Sequence, residues 1–138
     1  MKNKKLFNVL INSYALYLKT QSYHWNFVGQ GFYEKHLLFQ SQYEDLALAI
    51  DAIAERIRML NEFVVISFEV LGKESKLSKI TNKSDDMMKD LCDSNKKLCG
   101  FIKDAMKGAD EVTQALLQER LAIHEKNCWF LESSIVKK

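Results

Sequence analysis

Two histidines and two carboxylates within one stretch of the sequence could together hold a metal ion. His24 and His36 stand on either side of a glycine-containing break, and Asp51 and Glu55 follow, four residues apart. Imidazole nitrogens and carboxylate oxygens are donors that suit ferrous iron and similar ions. Against this, an Asp and a Glu at this spacing usually form a solvated helix face, and Glu55 could simply pair with Arg58. The residue types alone leave both interpretations open.

The hydrophobic pattern of residues 33–60 predicts one helix, which decides where these side chains can lie. We take about 100° per residue, with His36 as the origin. The same face then carries three later polar side chains, which are Gln40, Asp51 and Glu55. Along the axis, however, His36 and Asp51 are fifteen residues apart, about 22 Å in a straight helix. One copy of the helix therefore cannot bring all of them to one ion.

Two copies of this helix would solve the distance problem. If they pack antiparallel about a two-fold axis, the histidine end of each meets the carboxylate end of the other. We therefore expect any metal site to be shared between subunits. We also expect His24, just before the glycine break, to fold back and join His36.

Four long amphipathic segments predict an all-α protein, a four-helix bundle in a single domain over residues 1–138. The chain contains no proline and only five glycines, less punctuation than strands and tight turns need. Apolar residues recur at spacings of three and four throughout these segments. They cover residues 5–28, 33–60, 84–107 and the chain from about 110.

The connection between the second and third long helices is less regular. Residues 63–71 are apolar and fit either a strand or a helix by propensity. In an otherwise helical chain we predict a short connecting helix that Gly72 ends in the left-handed conformation. After a polar loop, Ser84 is predicted to cap the third long helix, with Asp85 and Asp86 at the positive end of its dipole.

Composition and charge bear on the partners and the cellular compartment that the sequence predicts. Lys and Arg number 20 and Asp and Glu 18, so the net charge of +2 favours no particular class of partner. Three cysteines, Cys92, Cys99 and Cys128, contain no CxxC pair and are predicted to be small apolar fillers in a reducing compartment. The sequence shows no signal-peptide core or membrane span, so we predict a cytoplasmic protein. His124 lies inside an apolar stripe and is predicted to be a core or interface histidine.

Several segments resemble the Dps proteins, the ferritin-like "DNA-binding proteins from starved cells". The resemblance covers most of the chain and weakens at residues 61–85. It rests on Tyr23-His24-Trp25-Asn26, the glycine-containing break, His36, Asp51-Ala-Ile-Ala-Glu55-Arg56, Gln118-Glu-Arg-Leu-Ala-Ile-His124-Glu-Lys126 and Trp129-Phe-Leu131. The chain lacks the Glu-x-x-His motifs of an intrasubunit di-iron site, which also favours Dps proteins over their relatives.

The resemblance implies a fold, an assembly and an activity. The expected assembly is a hollow homo-dodecamer of four-helix subunits, with a short helix in the connection between the second and third long helices. Ferroxidase sites would lie at two-fold interfaces, with His24 and His36 from one subunit, Asp51 and Glu55 from its partner, and Trp25 close by. Such proteins oxidise Fe(II), commonly with hydrogen peroxide, and store the ferric mineral, which protects against oxidative stress.

Three departures from the family pattern bear on that activity. Where relatives usually have an acid four residues after the second histidine, this chain has Gln40, a neutral and weaker ligand. Where many have Gly-Gly after the second helix, this chain has Asn61 and Glu62. Ala115 aligns with an acid that lines the iron pore, although Glu111 or Glu119 could compensate.

DNA binding stays open but is not favoured. In this family it commonly relies on a mobile basic tail that contacts phosphates. The basic residues at the two ends of this chain are Lys2, Lys4, Lys5, Lys137 and Lys138. Twelve copies could act together, yet short basic ends are usually only solubilising. The alternative to a ferroxidase is therefore a structural or DNA-associating cage with a weakened metal site.

Overall fold

The computed structural model describes residues 1–135 of the 138 in the chain, and within that range it contains five α-helices. They are α1 (Lys4–Asn26), α2 (Phe32–Met59), α3 (Phe68–Glu74), α4 (Ser84–Met106) and α5 (Glu111–Ser133). The prediction of four long helices and one short helix is confirmed. The ends of the first two long helices differ from the predicted ones by only one or two residues.

The four long helices close into a ring around one apolar core. α1 packs against α2 and α4, and α5 packs against α4 and α2. α2 and α4 make no direct contact in the described part of the chain, so they lie diagonally opposite each other. The connection through α3, which rests on α1, therefore crosses the bundle from one helix to its diagonal partner. Each long helix buries apolar side chains in the core, for example Leu10, Phe39, Leu98 and Leu131.

Glycines make the reversal between α1 and α2. Gly29 has φ of 124° and Gly31, the N-cap residue of α2, has φ of 73°, a region in which other residues are strained. A Cβ at Gly31 would also lie 2.9 Å from Lys35 Nζ. The reversal lets α2 run back along α1, so residues near the end of α1 face residues near the start of α2.

The predicted role of Gly72 is wrong. α3 begins at the cap Ser67, whose hydroxyl accepts a hydrogen bond from the Val70 N–H at 3.1 Å, and it runs past Gly72 to Glu74. Gly72 is therefore an ordinary helical residue, and Ser75 in extended conformation ends the helix. The left-handed residue of this connection is instead Asn61, with φ of 65°, directly after α2. The short helix exists, but it begins only in the last part of the predicted apolar segment and continues three residues beyond it.

The predicted cap of α4 is also wrong. Ser84 is the first helical residue, and its hydroxyl accepts a hydrogen bond from the Val28 N–H at 2.9 Å instead of capping its own helix. Asp85 and Asp86 do lie in the first turn of α4, as predicted. The side chain of Ser84 thus ties α4 to the loop that follows α1.

The basic N-terminus is not a free tail. Lys4 and Lys5 belong to the first turn of α1, and Asn3 donates hydrogen bonds to the Glu62 carboxylate from its backbone N–H and its amide. Because Lys4 and Lys5 are helical, a mobile tail that includes these two residues is not what the structure shows. The other predicted basic end, Lys137 and Lys138, lies outside the described residues.

The environment of the cysteines agrees with the prediction made from the sequence. Cys92, Cys99 and Cys128 are free and buried, as predicted for apolar fillers. Burial raises the pKa of Cys92 to about 12 and that of Cys128 to about 11, so these thiols stay protonated at neutral pH. Among the described residues, none of the helices has the length and apolar character needed to cross a membrane.

Candidate metal centre

The two histidines on either side of the glycine break lie together. The His24 and His36 rings are stacked, with centroids 3.6 Å apart and planes inclined by 17°. His24 comes from the last turn of α1 and His36 from the second turn of α2. The prediction that the first histidine folds back onto the second is therefore confirmed, and the chain reversal is what joins them.

Reciprocal hydrogen bonds fix both imidazoles. His24 Nδ1 donates to the backbone carbonyl of His36 at 2.7 Å, and His36 Nδ1 donates to the carbonyl of His24 at the same distance. A carbonyl can only accept, so both rings carry their proton on Nδ1. Metal-binding histidines typically anchor one ring nitrogen in this way and leave the other lone pair for the metal. In this tautomer both Nε2 atoms carry no proton, so their lone pairs are available to a metal ion.

Aromatic side chains surround the histidine pair. The Tyr43 ring meets His24 edge-on at 5.2 Å between centroids, and Phe32 stacks on His36 at the same distance. His24 is only 6% exposed, whereas His36 is half-buried, so the pair opens to the surface on the His36 side. Trp25 is 65% exposed and turned towards solvent.

The sequence analysis missed Tyr43 and its neighbour Tyr17, although a spacing signal was available. Tyr17 precedes His24 by seven residues and Tyr43 follows His36 by seven. Seven residues are two helical turns, so each tyrosine lies on the same face as its histidine. Because α1 and α2 run in opposite directions, this symmetric spacing brings the two tyrosines together, with ring centroids 5.7 Å apart.

The two carboxylates form a separate cluster farther along α2. Asp51 and Glu55 are both exposed, and a hydrogen bond to Asp51 together with its negative charge raises the pKa of Glu55. Arg58 donates to the Glu62 carbonyl at 3.1 Å, so the alternative pairing of Glu55 with Arg58 is not what the structure shows. Two neighbouring carboxylates repel each other, and a cation bound between them would relieve that repulsion.

The histidines and the carboxylates lie far apart along α2, as predicted from the helix rise. α2 is a single unbroken helix of 28 residues that carries both His36 and Asp51. Among residues 1–135 of one chain, no three His, Cys, Asp or Glu side chains come together as a metal site. The histidine pair and the carboxylate pair are thus separate clusters in one chain, and each is a candidate half-site for a metal ion.

The face of α2 between the half-sites also exposes apolar side chains. Tyr33, Leu37 and Leu48 lie on the same side of the helix as the carboxylates. Leu48 is 75% exposed and Tyr33 is 67% exposed. An apolar surface with polar groups at both ends is typical of a protein–protein contact.

Two positions that depart from the family pattern are exposed or half-buried. The Gln40 amide is half-buried and donates to the Glu44 carboxylate at 2.9 Å, one turn farther along α2. Ala115 is exposed on α5, with the exposed Glu111 and Glu119 one turn before and one turn after it. The structure thus keeps acids beside Ala115 and a neutral amide near the histidine pair.

The third histidine occupies a different environment. His124 is 0% exposed; its Nδ1 donates to Asn95 Oδ1 at 2.8 Å, and its Nε2 accepts from Arg120 Nη2 at 3.1 Å. Arg120 is also buried and pairs with Asp45 at 2.9 Å. Burial, and secondarily the Arg120 charge, lowers the pKa of His124 to about 3. The prediction of a core histidine is confirmed, whereas its polar partners were not anticipated.

Comparison with known proteins shows which protein family the chain belongs to. The ferritin-like domain family matches residues 3–137. A crystal structure described as a Dps protein from Vibrio cholerae O1, a member of a broad superfamily of ferritin-like diiron-carboxylate proteins, superposes with a TM-score of 0.87 at 33% identity. That match covers 95% of this chain and 86% of the other. The chain belongs to the ferritin-like family.

Within that family the similarity is to Dps proteins, which confirms the resemblance read from the sequence. The DNA protection during starvation protein of Helicobacter pylori is 28% identical over 128 residues, covering 88% of this chain and 89% of that protein. An uncharacterised low temperature-induced protein of Nostoc sp. is 31% identical over 134 residues, covering 91% of this chain and 75% of that protein. Membership supports a role in iron storage and stress protection in general terms.

Proposed function

We propose that this protein is a ferroxidase that oxidises Fe(II), with hydrogen peroxide as the oxidant, and stores the ferric product inside a homo-dodecameric cage. The observation that carries the proposal is the stacked pair of His24 and His36, each anchored through Nδ1. An anchored imidazole with a free Nε2 is the usual arrangement of a metal-binding histidine. Family membership supports the same class of activity.

In this proposal the site is completed by a second subunit. Asp51 and Glu55 of one subunit face His24 and His36 of its two-fold partner, because their separation along α2 excludes a site within one chain. Two imidazoles and two carboxylates suit ferrous iron, which is the substrate of the site. The exposed apolar face of α2 between the half-sites would be covered by the same contact.

Each side chain has a defined part in binding. The two Nε2 atoms donate lone pairs, and their orientation is set by backbone carbonyls rather than by flexible side chains. The carboxylates supply negative charge, and the bound cation would relieve the repulsion by which Asp51 contributes to the raised pKa of Glu55. Gln40 contributes no charge, so the second iron position is expected to be weak.

A variant that removes only the carboxylate half-site tests the assignment. Asp51→Ala/Glu55→Ala should bind Fe(II) weakly and form ferric product much more slowly than wild type, measured by absorbance after addition of Fe(II) and hydrogen peroxide. Both residues are exposed, so the fold should be kept, which circular dichroism checks. Mineralisation at the wild-type rate would refute the assignment.

A matched control separates the site from general surface charge. Glu111→Ala/Glu119→Ala removes two exposed carboxylates from α5, one turn on either side of Ala115. If iron reaches the interior past these acids, this control slows uptake at low Fe(II) without abolishing saturable binding at the centre. A loss of binding equal to that of the α2 variant would show that charge alone, rather than the half-site, is responsible.

A further inference from the structure

Two cysteines from facing helices meet in the interior between α4 and α5. Cys128 Sγ lies 3.6 Å from the backbone carbonyl oxygen of Cys92, and Cys92 Sγ lies 3.9 Å from the carbonyl oxygen of Cys128. Burial raises the pKa of Cys128 to about 11, while a hydrogen bond with the Cys92 thiol acts in the opposite direction, so the two sulfurs are in contact. Cys92 is 3% exposed and Cys128 is 8% exposed, and together they form a buried thiol pair.

One charged pair at the surface lies against the thiol pair. Lys96 Nζ is 2.5 Å from Glu132 Oε1, and the same carboxylate oxygen accepts a hydrogen bond from Cys92 Sγ at 3.4 Å. Burial raises the pKa of both thiols, and the positive charge of Lys96 is one of the influences that oppose it. A cationic group therefore lies close enough to stabilise negative charge on either sulfur, and an exposed carboxylate is in contact with one of them.

The number of ligands decides which metal ion the thiol pair suits. Within residues 1–135, no cluster of three or more His, Cys, Asp or Glu side chains is arranged to hold a metal ion. Cys99 follows Cys92 by seven residues, which is about 10 Å along α4 and too far for one ion. Structural zinc needs four ligands, so a pair of thiols does not supply a zinc site. Thiolates select Cu(I), a soft univalent ion that forms stable complexes with two sulfur ligands.

We propose that Cys92 and Cys128 bind one Cu(I) ion between α4 and α5. The balanced step is Cu⁺ + 2 R–SH → [Cu(SR)₂]⁻ + 2 H⁺, in which two S–H bonds break, two Cu–S bonds form and no oxidation state changes. Coordination deprotonates a thiol that is protonated when free. The complex has one negative charge, which the Lys96 ammonium balances, and the Glu132 carboxylate is placed to take the proton from Cys92.

This copper site is separate from the candidate metal centre and does not depend on the proposed function. The histidine and carboxylate clusters lie on α1 and α2, whereas both sulfurs lie on α4 and α5. Because the thiol pair is buried, an ion between the two sulfurs is shielded from water and peroxide. The site therefore holds copper in an unreactive form, and the bound ion links the first half of α4 to the last turns of α5.

A competition titration tests which residues bind the ion. Reduced protein is kept anaerobic, and Cu(I) is supplied as its acetonitrile complex against the chelator bathocuproine disulfonate. Wild type should bind one Cu(I) per chain, and Cys92→Ala/Cys128→Ala should bind it more than about 100-fold more weakly, since losing a residue that only supports a ligand already costs about 10–100-fold. Cys99→Ala, the matched control, removes the third buried thiol and should bind as wild type. Equal affinities of the double variant and the control would overturn the proposal.

X-ray absorption at the copper edge identifies the ligand atoms in wild type, without relying on the folding of a variant. The Cu(I)-loaded protein should show two sulfur ligands and no nitrogen ligand. Nitrogen ligation would place the ion on imidazoles such as those of His24 and His36 and would overturn the assignment to the thiol pair.

A second pair of variants tests the balancing charge. Lys96→Gln removes the ammonium beside the thiols and should weaken Cu(I) binding by roughly fivefold, as expected for one charge near the protein surface. Lys97→Gln removes the adjacent exposed lysine and should leave the affinity unchanged. If the two variants lose the same affinity, Lys96 does not balance the charge of a complex at this place.

Discussion

Two histidine environments in this chain differ in how many ring nitrogens have a hydrogen-bond partner. His24 and His36 each use one ring nitrogen, and the partner is a backbone carbonyl. His124 uses both nitrogens, and its partners are the side chains of Asn95 and Arg120. The first arrangement leaves a lone pair free beside the surface, whereas the second leaves none and is completely buried.

The second ring nitrogen is what distinguishes the two environments, and in the proposed function it is the atom that binds the metal. All three histidines lie on helices, and His24 is buried almost as deeply as His124. Burial therefore does not distinguish the two environments, but hydrogen-bond saturation does. A guanidinium directly on Nε2, as at His124, also repels any cation that would approach.

The largest effect is expected for the structural histidine. His124→Ala removes the partners of both Arg120 and Asn95 inside the core and should lower the free energy of unfolding by about 3 kcal/mol. Urea unfolding at fixed protein concentration measures this. His36→Ala is the comparison, with a smaller loss because its ring is half-buried. Equal losses in the two variants would contradict the distinction.

His36, a metal ligand in the proposed function, should show the opposite pattern. His36→Gln removes a donor and should weaken Fe(II) binding about 10–100-fold, the range seen when metal-site partners are lost. The urea midpoint should stay near that of wild type. Titration calorimetry with Fe(II) under anaerobic conditions gives the affinity. Unchanged binding would show that His36 is not a ligand.

Acid should destabilise the fold through His124. Its pKa is lowered from 6.5 to about 3. Below pH 6.5 the unfolded chain takes up a proton at His124 that the folded chain does not. Stability is therefore fully present above pH 6.5 and is lost as the pH falls towards 3. The charged groups beside it are Arg120 and, through Arg120, Asp45. Each pH unit in that window should cost about 1.4 kcal/mol of unfolding free energy.

A substitution that cannot titrate checks this slope. His124→Gln keeps polar contacts but carries no proton equilibrium, so its unfolding free energy should depend less steeply on pH between neutral and mildly acidic conditions. Parallel curves for wild type and the variant would mean that another group causes the acid sensitivity.

The smallest effect is expected beside the pair, at Gln40. Gln40→Asp adds one negative charge near the histidines and should strengthen Fe(II) binding by about fivefold, roughly 1 kcal/mol for a charge at the protein surface. Gln40→Asn is the matched control, since it shortens the side chain but keeps a neutral amide. If both variants bind Fe(II) equally, the lost charge does not explain the departure from the family pattern.

Much of the fold and of the half-sites could be predicted from the sequence. Helical periodicity gave the four long helices, and helix rise showed that His36 and Asp51 cannot meet in one chain. The contact of His24 with His36 followed from the glycine break between them. These inferences succeed because they depend on spacing along regular helices.

The errors lie where several local solutions compete. Gly72 could end a helix. Because Ser67 caps the start of α3, however, the helix begins late enough to continue through Gly72. Ser84 could cap α4, but the Val28 N–H takes its hydroxyl. The partners of His124 are Asn95 of α4 and Arg120 of α5, and Arg120 in turn pairs with Asp45 of α2. No local pattern indicates which polar side chains will meet across the core.

The reciprocal bonds between His24 and His36 have a further consequence for the order of assembly. They join residues only twelve apart in sequence, so closing this loop costs little chain entropy and can occur early in folding. Each newly folded chain therefore already has its two imidazoles in place before it meets another copy. Under the proposed function, association then has to deliver only the carboxylates to an imidazole pair that is already in place.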